Sequence, residues 1–297
     1  NSRFLSKDII TEFRGRGDEI HVFPLTFKEY MQGYSGDTYR GFADYIMYGG
    51  LPLILSMKTE EQKVEYLTRL FEETYIKDIR ERNRIDKIQE LNDLINVLAS
   101  AVGSLTNPSK IEATFKSKLH SDISINTIRQ YIAFLKDAFM IHEAQRFDVK
   151  GRKYIGSPLK YYFEDIGLRN ARLGFRQHEE THLMENILYN ELRARGFSVD
   201  VGVVPIRKTV SSGERERSQL EIDFIATLGS RKYYIQSAFS LPDEEKIKQE
   251  KTPLLNVRDS FKKIIIVHDT LNIRRDDDGI TTMNIYDFLL NEHSLDM

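Results

Sequence analysis

Between residues 60 and 84 apolar side chains recur at every third or fourth position: Val64, Leu67, Leu70, Phe71, Tyr75 and Ile79. That period places them on one face of a helix. A further helix is predicted from Glu90 to Ala101, with Leu91, Leu94, Ile95 and Leu98 in line. Ahead of these, Ser6 can cap a short helix over Lys7 to Phe13, which the glycines of "RGRG" end. "EIHVFPL", Glu19 to Leu25, reads as a strand stopped near Pro24, "TFKEYM" as another short helix, and "YGGLP", Tyr48 to Pro52, as a break. Pro108 opens a helix to about Leu119, and "SDIS" makes a turn. A helix from Ile125 to about Ala138 follows, turning Ile128, Tyr131, Ile132 and Leu135 inward. Next come strand-like "MIHEAQRF", a polar tip "DVKGRK" and a returning strand "KYYFED". Helix, turn, helix and basic hairpin in this order predict a winged helix.

The last third changes period. A helix over Glu179 to Arg195 carries Leu183, Ile187, Leu188 and Leu192. Strands are predicted at Ser198–Val204, Leu220–Ala226, Lys232–Ser240, Lys262–Val267 and Thr282–Ile285, with a charged helix from Asp243 to about Lys251. This order suggests an α/β sandwich around a mixed sheet. "RRDDDG", Arg274 to Gly279, reads as a charge-dense turn.

Composition narrows the function classes. The 297 residues carry a formal net charge of −2, so a nucleic-acid site must be a local patch. Cysteine is absent, which excludes disulfides and thiolate metal sites and fits a reducing cytoplasm. No apolar run approaches the ~18 residues of a membrane span, and the start lacks a signal peptide's apolar stretch. The first residue is not methionine, so a fragment of a longer protein is expected. No G-x-x-x-x-G-K-[ST] loop is present, so this chain alone is not expected to bind or hydrolyse ATP. The seven histidines show no H-x-x-x-H or H-E-x-x-H pairing, which argues against zinc.

Two regions carry candidate chemistry. The second helix of the winged-helix region offers Asn126, Arg129 and Gln130, donors suited to base edges in a major groove. The hairpin carries Arg146, Lys150, Arg152 and Lys153, suited to phosphates. Against this stands the ordinary solvated tip and the many winged helices that bind protein. The second region is "LEIDFIATLGSRKYYIQSA", Leu220 to Ala238, two strands joined at Gly229-Ser230. Asp223 is a plausible Mg²⁺ ligand, and Glu221 shares its strand face. Glu185 sits on the preceding helix in step with Leu188 and Leu192, where an acid needs a partner. Gln236 can still offer a carbonyl oxygen to a metal. Ala238 cannot do what a catalytic lysine does, leaving Lys246 and Lys248 as substitutes.

The chain resembles the prokaryotic AAA-type ATPases that carry a winged helix and a PD-(D/E)xK nuclease-like domain of unknown function at the C-terminus. The resemblance rests on Asn1 to Tyr30, "YGGLP", "YYFEDIGLRNARLGF", "MENILYNELRARGFSVDVG" and "EIDFIA...YYIQSA". It implies an α+β fold in four parts. These are a remnant of an ATPase core (1–30), a helical lid or linker (31–105), a winged helix (106–175) and a restriction-endonuclease-like α/β domain (176–297). It implies that Arg14 and Arg16 are arginine-finger candidates and that the Walker segments lie upstream. ATP and Mg²⁺ are therefore expected only with that segment, and no cofactor in this chain. Glu185 and Asp223 match acidic positions of the nuclease motif, whereas Gln236 and Ala238 depart from its acid and lysine, which implies a degraded catalytic site.

The expected function is a DNA- or partner-binding module without activity of its own, cytoplasmic and not membrane-bound. It would pair with DNA, a second copy or a separate ATPase segment. The alternatives are a metal-dependent DNA nuclease with a relocated lysine and a protein–protein adaptor.

Overall fold

The computed structural model describes residues 20–177, 179–209, 215–269 and 272–297. Arg14, Arg16 and the helix expected over Lys7 to Phe13 lie outside the described residues. The fold is mixed α+β, with a large mixed sheet, and the chain divides into two compact units. Unit 1 takes residues 1–143 and 161–178; unit 2 takes 144–160 and 179–297.

Unit 1 is helical. The segment 20–25, expected as a strand, is not one: Ile20 and Val22 are exposed and Leu25 donates its N–H to the Gly50 carbonyl. Alternating apolar residues there have no neighbouring strand to complete. Helix α1 (Phe27–Gly33) starts with a capping box, Thr26 and Glu29 each bonding the other's backbone N–H. It packs Phe27 and Tyr30 on Phe42 and Tyr45 of α2 (Thr38–Tyr48). The long periodic stretch is a helical run of α3 (Glu60–Arg69), a π-helical segment (Leu70–Ile76) and α4 (Lys77–Asn83). It ends where Arg84 turns left-handed. Helices α5 (Ile88–Ser100), α6 (Pro108–Thr114) and α7 (Ile125–Asp137) follow.

Helix α8 (Ile166–Arg172) holds unit 1 together through buried polar groups. Asp165 caps it, accepting from Leu168 N and, across the chain, from Gly50 N at 2.8 Å. Arg169 is fully buried and donates to the carbonyls of Ala99 and Gln177. Asn170 donates to Ile46 O and Met47 O at the end of α2. Every one of these groups would be costly to bury unpaired. Burial pushes the Asp165 carboxyl up to about 6 despite its backbone donors.

A hairpin, β1 (Ile141–Asp148) and β2 (Lys153–Phe163), leads to α9 (Glu180–Ala194) of unit 2. The remaining strands are β3 (Ser198–Thr209), β4 (Arg215–Leu228), β5 (Arg231–Ala238), β6 (Lys262–Val267), β7 (Arg274–Arg275) and β8 (Ile280–Asn284). They lie in the order β2-β1-β3-β4-β5-β6-β8-β7. β3, β4 and β5 are antiparallel neighbours, while β5–β6 and β6–β8 run parallel. Helix α10 (Glu244–Leu255) and α11 (Ile285–Leu290) complete the unit. One sheet face buries Ile225, Tyr234, Ala238 and Val267 with Leu254 of α10. Strand alternation turns Phe224 to the other face, where it meets Tyr189 of α9.

Candidate functional site: a buried lysine among carboxylates

The register of β3 and β4 sets up the site. Asp200 pairs with Ile225 and Gly202 with Ile222, so Asp223 and Phe224 oppose the single residue Val201. This is a β-bulge, a device that re-aims a side chain. Ile222 and Ile225 both stay in the apolar cluster under α10. The extra residue therefore lets Asp223 and Phe224 both face α9. Gly202 permits it, because a Cβ there would lie 2.8 Å from that of Ile222.

Glu185 comes from α9, one turn before Leu188, and is buried. Glu221 lies two residues before Asp223 on β4, with its side chain 34% exposed. Into this group β2 inserts Lys160, whose side chain is 4% exposed. Its Nζ lies 2.8 Å from Glu185 Oε1, 2.9 Å from Glu221 Oε1 and 3.5 Å from Asp223 Oδ1. A buried lysine needs such partners. Burial lowers its proton affinity, but the Glu185, Asp223 and Glu221 carboxylates outweigh that and hold the ammonium charged well above the usual range.

One ammonium does not balance three carboxyls. Asp223 is buried; burial raises its pKa to about 7, with Lys160 opposing the rise and Glu185 and Glu221 adding to it. Its Oδ2 accepts from Ser237 N at 2.9 Å, which fixes β5 beside it. Around this centre two polar atoms are buried without a hydrogen-bond partner: Ser237 Oγ and His182 Nδ1. His182 Nδ1 is 4.0 Å from Glu185 Oε2. An acceptor surplus of this kind fits a divalent cation, which takes carboxylate and amide oxygens. Glu185 and Asp223 are the residues that would hold it; Gln236 lies between Tyr234 and Ala238 on β5, so strand alternation turns it to the α10 face, away from them.

The linkage sign follows from Asp223. Its carboxyl keeps its proton to about pH 7 when folded, but only to about 3.9 when unfolded. Protonation therefore adds stability that is full below pH ~4 and lost as pH rises through 7. Asp223→Asn removes that slope. Urea unfolding at pH 5 and pH 8 reads it: the wild type loses stability between them and the variant loses less.

Sequence reasoning placed the substitute lysine on α10, and the structure corrects this. Lys246 is bonded to Glu250 of its own helix at 2.5 Å, and Lys248 is exposed. Helix α10 packs on the opposite sheet face from α9. Ala238 belongs to that same apolar face, buried with Tyr234, Leu254 and Val267. A lysine there would lie in hydrocarbon, so the ammonium arrives from β2 instead. Its only sequence signal is a lysine directly preceding the apolar run Tyr161-Tyr162-Phe163.

The hairpin residues separate. Arg152 and Lys153 are exposed at the tip beside Gly151. Lys150 is exposed with its Nζ donating to Pro205 O. Arg146 is not part of the exposed patch: it is 8% exposed and donates to Gln219 Oε1 on β4. That bond to a neighbouring strand draws the guanidinium away from the exposed tip. Asn126, Arg129 and Gln130 are exposed on α7 of unit 1. No helix among the described residues is long and apolar enough to cross a membrane.

Fold and site together define a mixed α/β protein with a lysine-centred acidic site at a sheet bulge. The chain belongs to the same family as an uncharacterized protein of Haemophilus influenzae, 32% identical over 295 residues. That alignment covers 98% of this chain and 69% of the relative. An uncharacterized protein of Methanocaldococcus jannaschii is 27% identical over 263 residues, covering 84% of this chain and 56% of that protein. A domain of unknown function, DUF8612, matches residues 39–179, which include Lys160 but not its acidic partners. No solved structure matches the chain.

Proposed function

We propose that unit 2 is a metal-dependent phosphodiesterase that cuts nucleic acid, with a PD-(D/E)xK-like site whose lysine has moved to β2. The observation that carries this reading is the Lys160 ammonium within 3.5 Å of Glu185, Glu221 and Asp223. It supplies the charge that Ala238 cannot. A divalent cation, when bound, neutralises phosphate charge and acidifies its water. Lys160 stabilises the negative charge that develops on the phosphoryl oxygens. The attacking water gives its proton to solvent. One P–O bond forms to that water oxygen and one breaks, and the leaving oxygen takes a proton from solvent. Exposed Arg152 and Lys153, on the same hairpin as Lys160, hold the backbone of the substrate.

The resemblance of the sequence suggests that this site works within an AAA-type ATP-binding machine. The relatives' extra length is consistent with such a partner segment.

Plasmid nicking tests the reading. The purified chain with Mn²⁺ or Mg²⁺ nicks supercoiled DNA; Asp223→Ala and Lys160→Met do not. Nicking that survives Asp223→Ala, or its absence in the wild type under every metal, overturns it and leaves a binding module. Arg152→Ala/Lys153→Ala weakens DNA binding and lowers the salt slope of log K by about 2.

A further inference from the structure

Unit 1 brings together a second set of groups that the phosphodiesterase reading does not use. His21 lies in the extended segment before α1, His142 on β1, and Glu164 just past the end of β2. His21 Nε2 is 2.7 Å from Glu164 Oε1. His142 Nε2 meets the other oxygen, Oε2, in a closer contact. Each residue offers one donor atom, and the three donors lie within 4.8 Å of one another. Nothing in sequence spacing shows this, because the two histidines lie 121 positions apart in the chain and only the fold joins them.

We propose that His21, His142 and Glu164 form a site for a divalent transition metal, zinc by preference, with an open coordination position. Two imidazole nitrogens and one carboxylate are the donor set of zinc sites that keep a fourth position for water or substrate. Zinc–ligand bonds of about 2.0–2.2 Å require donors roughly 3–3.5 Å apart. The existing contacts reach that range by small side-chain rotations. The rings are already set for it: their centroids are 6.2 Å apart and their planes are inclined by 69°. His142 and Glu164 are each 11% exposed and His21 is 23% exposed, so an entry path exists on the His21 side.

That side opens on a cleft of about 960 Å³, which His21 and Glu164 both line. Glu73, Asp78 and Glu81 also line it against the single cation Lys77, and Tyr75 and Phe139 give it apolar surface. An acidic wall concentrates cations, and the volume leaves room for a ligand on the open position. Nitrogen donors select zinc, cobalt or nickel over magnesium, whose preference is for oxygen. The site is thus chemically distinct from the carboxylate pair at Glu185 and Asp223.

Cobalt substitution tests the proposal without a folding ambiguity. Chelator-treated full chain is titrated with Co²⁺ and its visible d–d absorption recorded. A strong band characteristic of four or five coordination is expected, removed stoichiometrically by Zn²⁺ and untouched by excess Mg²⁺. Asp223→Ala retains the band, because that residue belongs to the other unit. His21→Ala, whose side chain is the most exposed of the three, loses it with an unchanged melting curve in metal-free buffer. Glu164→Gln loses it as well. The absence of a band in the wild type overturns the site. So does a band that persists in both variants, and the three residues are then a hydrogen-bonded cluster only.

Discussion

Lys160→Met lowers folding stability by about 3–5 kcal/mol at pH 8, the scale for removing one partner of a buried ion pair. The methionine fills the volume, so the loss reports charge rather than a cavity. The loss also depends on pH. Wild-type Lys160 stays charged far above neutrality, so the pH dependence comes from the carboxyls around it, Asp223 above all. In the variant the Glu185, Glu221 and Asp223 carboxyls face each other uncompensated. The folded pKa of Asp223, already raised, rises further once Lys160 no longer opposes it, which adds stability at low pH that is lost as pH rises. The deficit is therefore smaller at pH 5 than at pH 8. A divalent cation that binds the freed carboxylates restores about 2.7 kcal/mol at a hundred times its Kd. Denaturant melts of both proteins at the two pH values, with and without Mn²⁺, measure all three effects. A pH-independent loss below about 1 kcal/mol would show that the ammonium is dispensable.

The same residue marks where sequence reading stopped. Glu185 was legible because a helix repeats at fixed intervals: an acid in register with Leu188 and Leu192 must face the sheet. Glu221 and Asp223 were legible because a strand alternates. Lys160 was not, since its place depends on which strands pair: β1 inserts next to β3, and the hairpin brings its lysine to β4, more than 60 residues on. The bulge at Asp223 is equally silent in the residue pattern, as Gly202 alone hints at it. Helix boundaries followed from period and caps, as with Thr26 and Glu29. The strand expected over 19–25 failed on its described residues for the reason Lys160 was missed: alternation describes one chain segment, whereas a strand needs a neighbour. The histidine cluster belongs to the same class of long-range fact.

Gly167→Ala produces the largest purely structural loss. The glycine lies in the first turn of α8, where a Cβ would stand 2.1 Å from the Tyr48 carbonyl oxygen and 2.4 Å from its carbon. Both are backbone atoms of the α2 terminus, so no rotamer change relieves the clash. Helix α8 cannot retreat either. Asp165 ties its start to Gly50, Asn170 ties its middle to Ile46 and Met47, and Arg169 ties it to Ala99. Moving the helix by the ångström or so that a methyl needs would stretch each of these buried bonds together. Overpacking costs about 1–3 kcal/mol where a core can adjust; each buried polar group left unpaired adds about 1–3 more. The expected loss is thus at least about 3 kcal/mol. It appears as a large drop in melting temperature, or as insoluble protein on expression. Gly156→Ala is the matched control, because nothing lies within 4 Å of a Cβ at that position. If the two variants melt together, α8 is not held rigidly against α2, and the buried polar ties between them are weaker than their geometry implies.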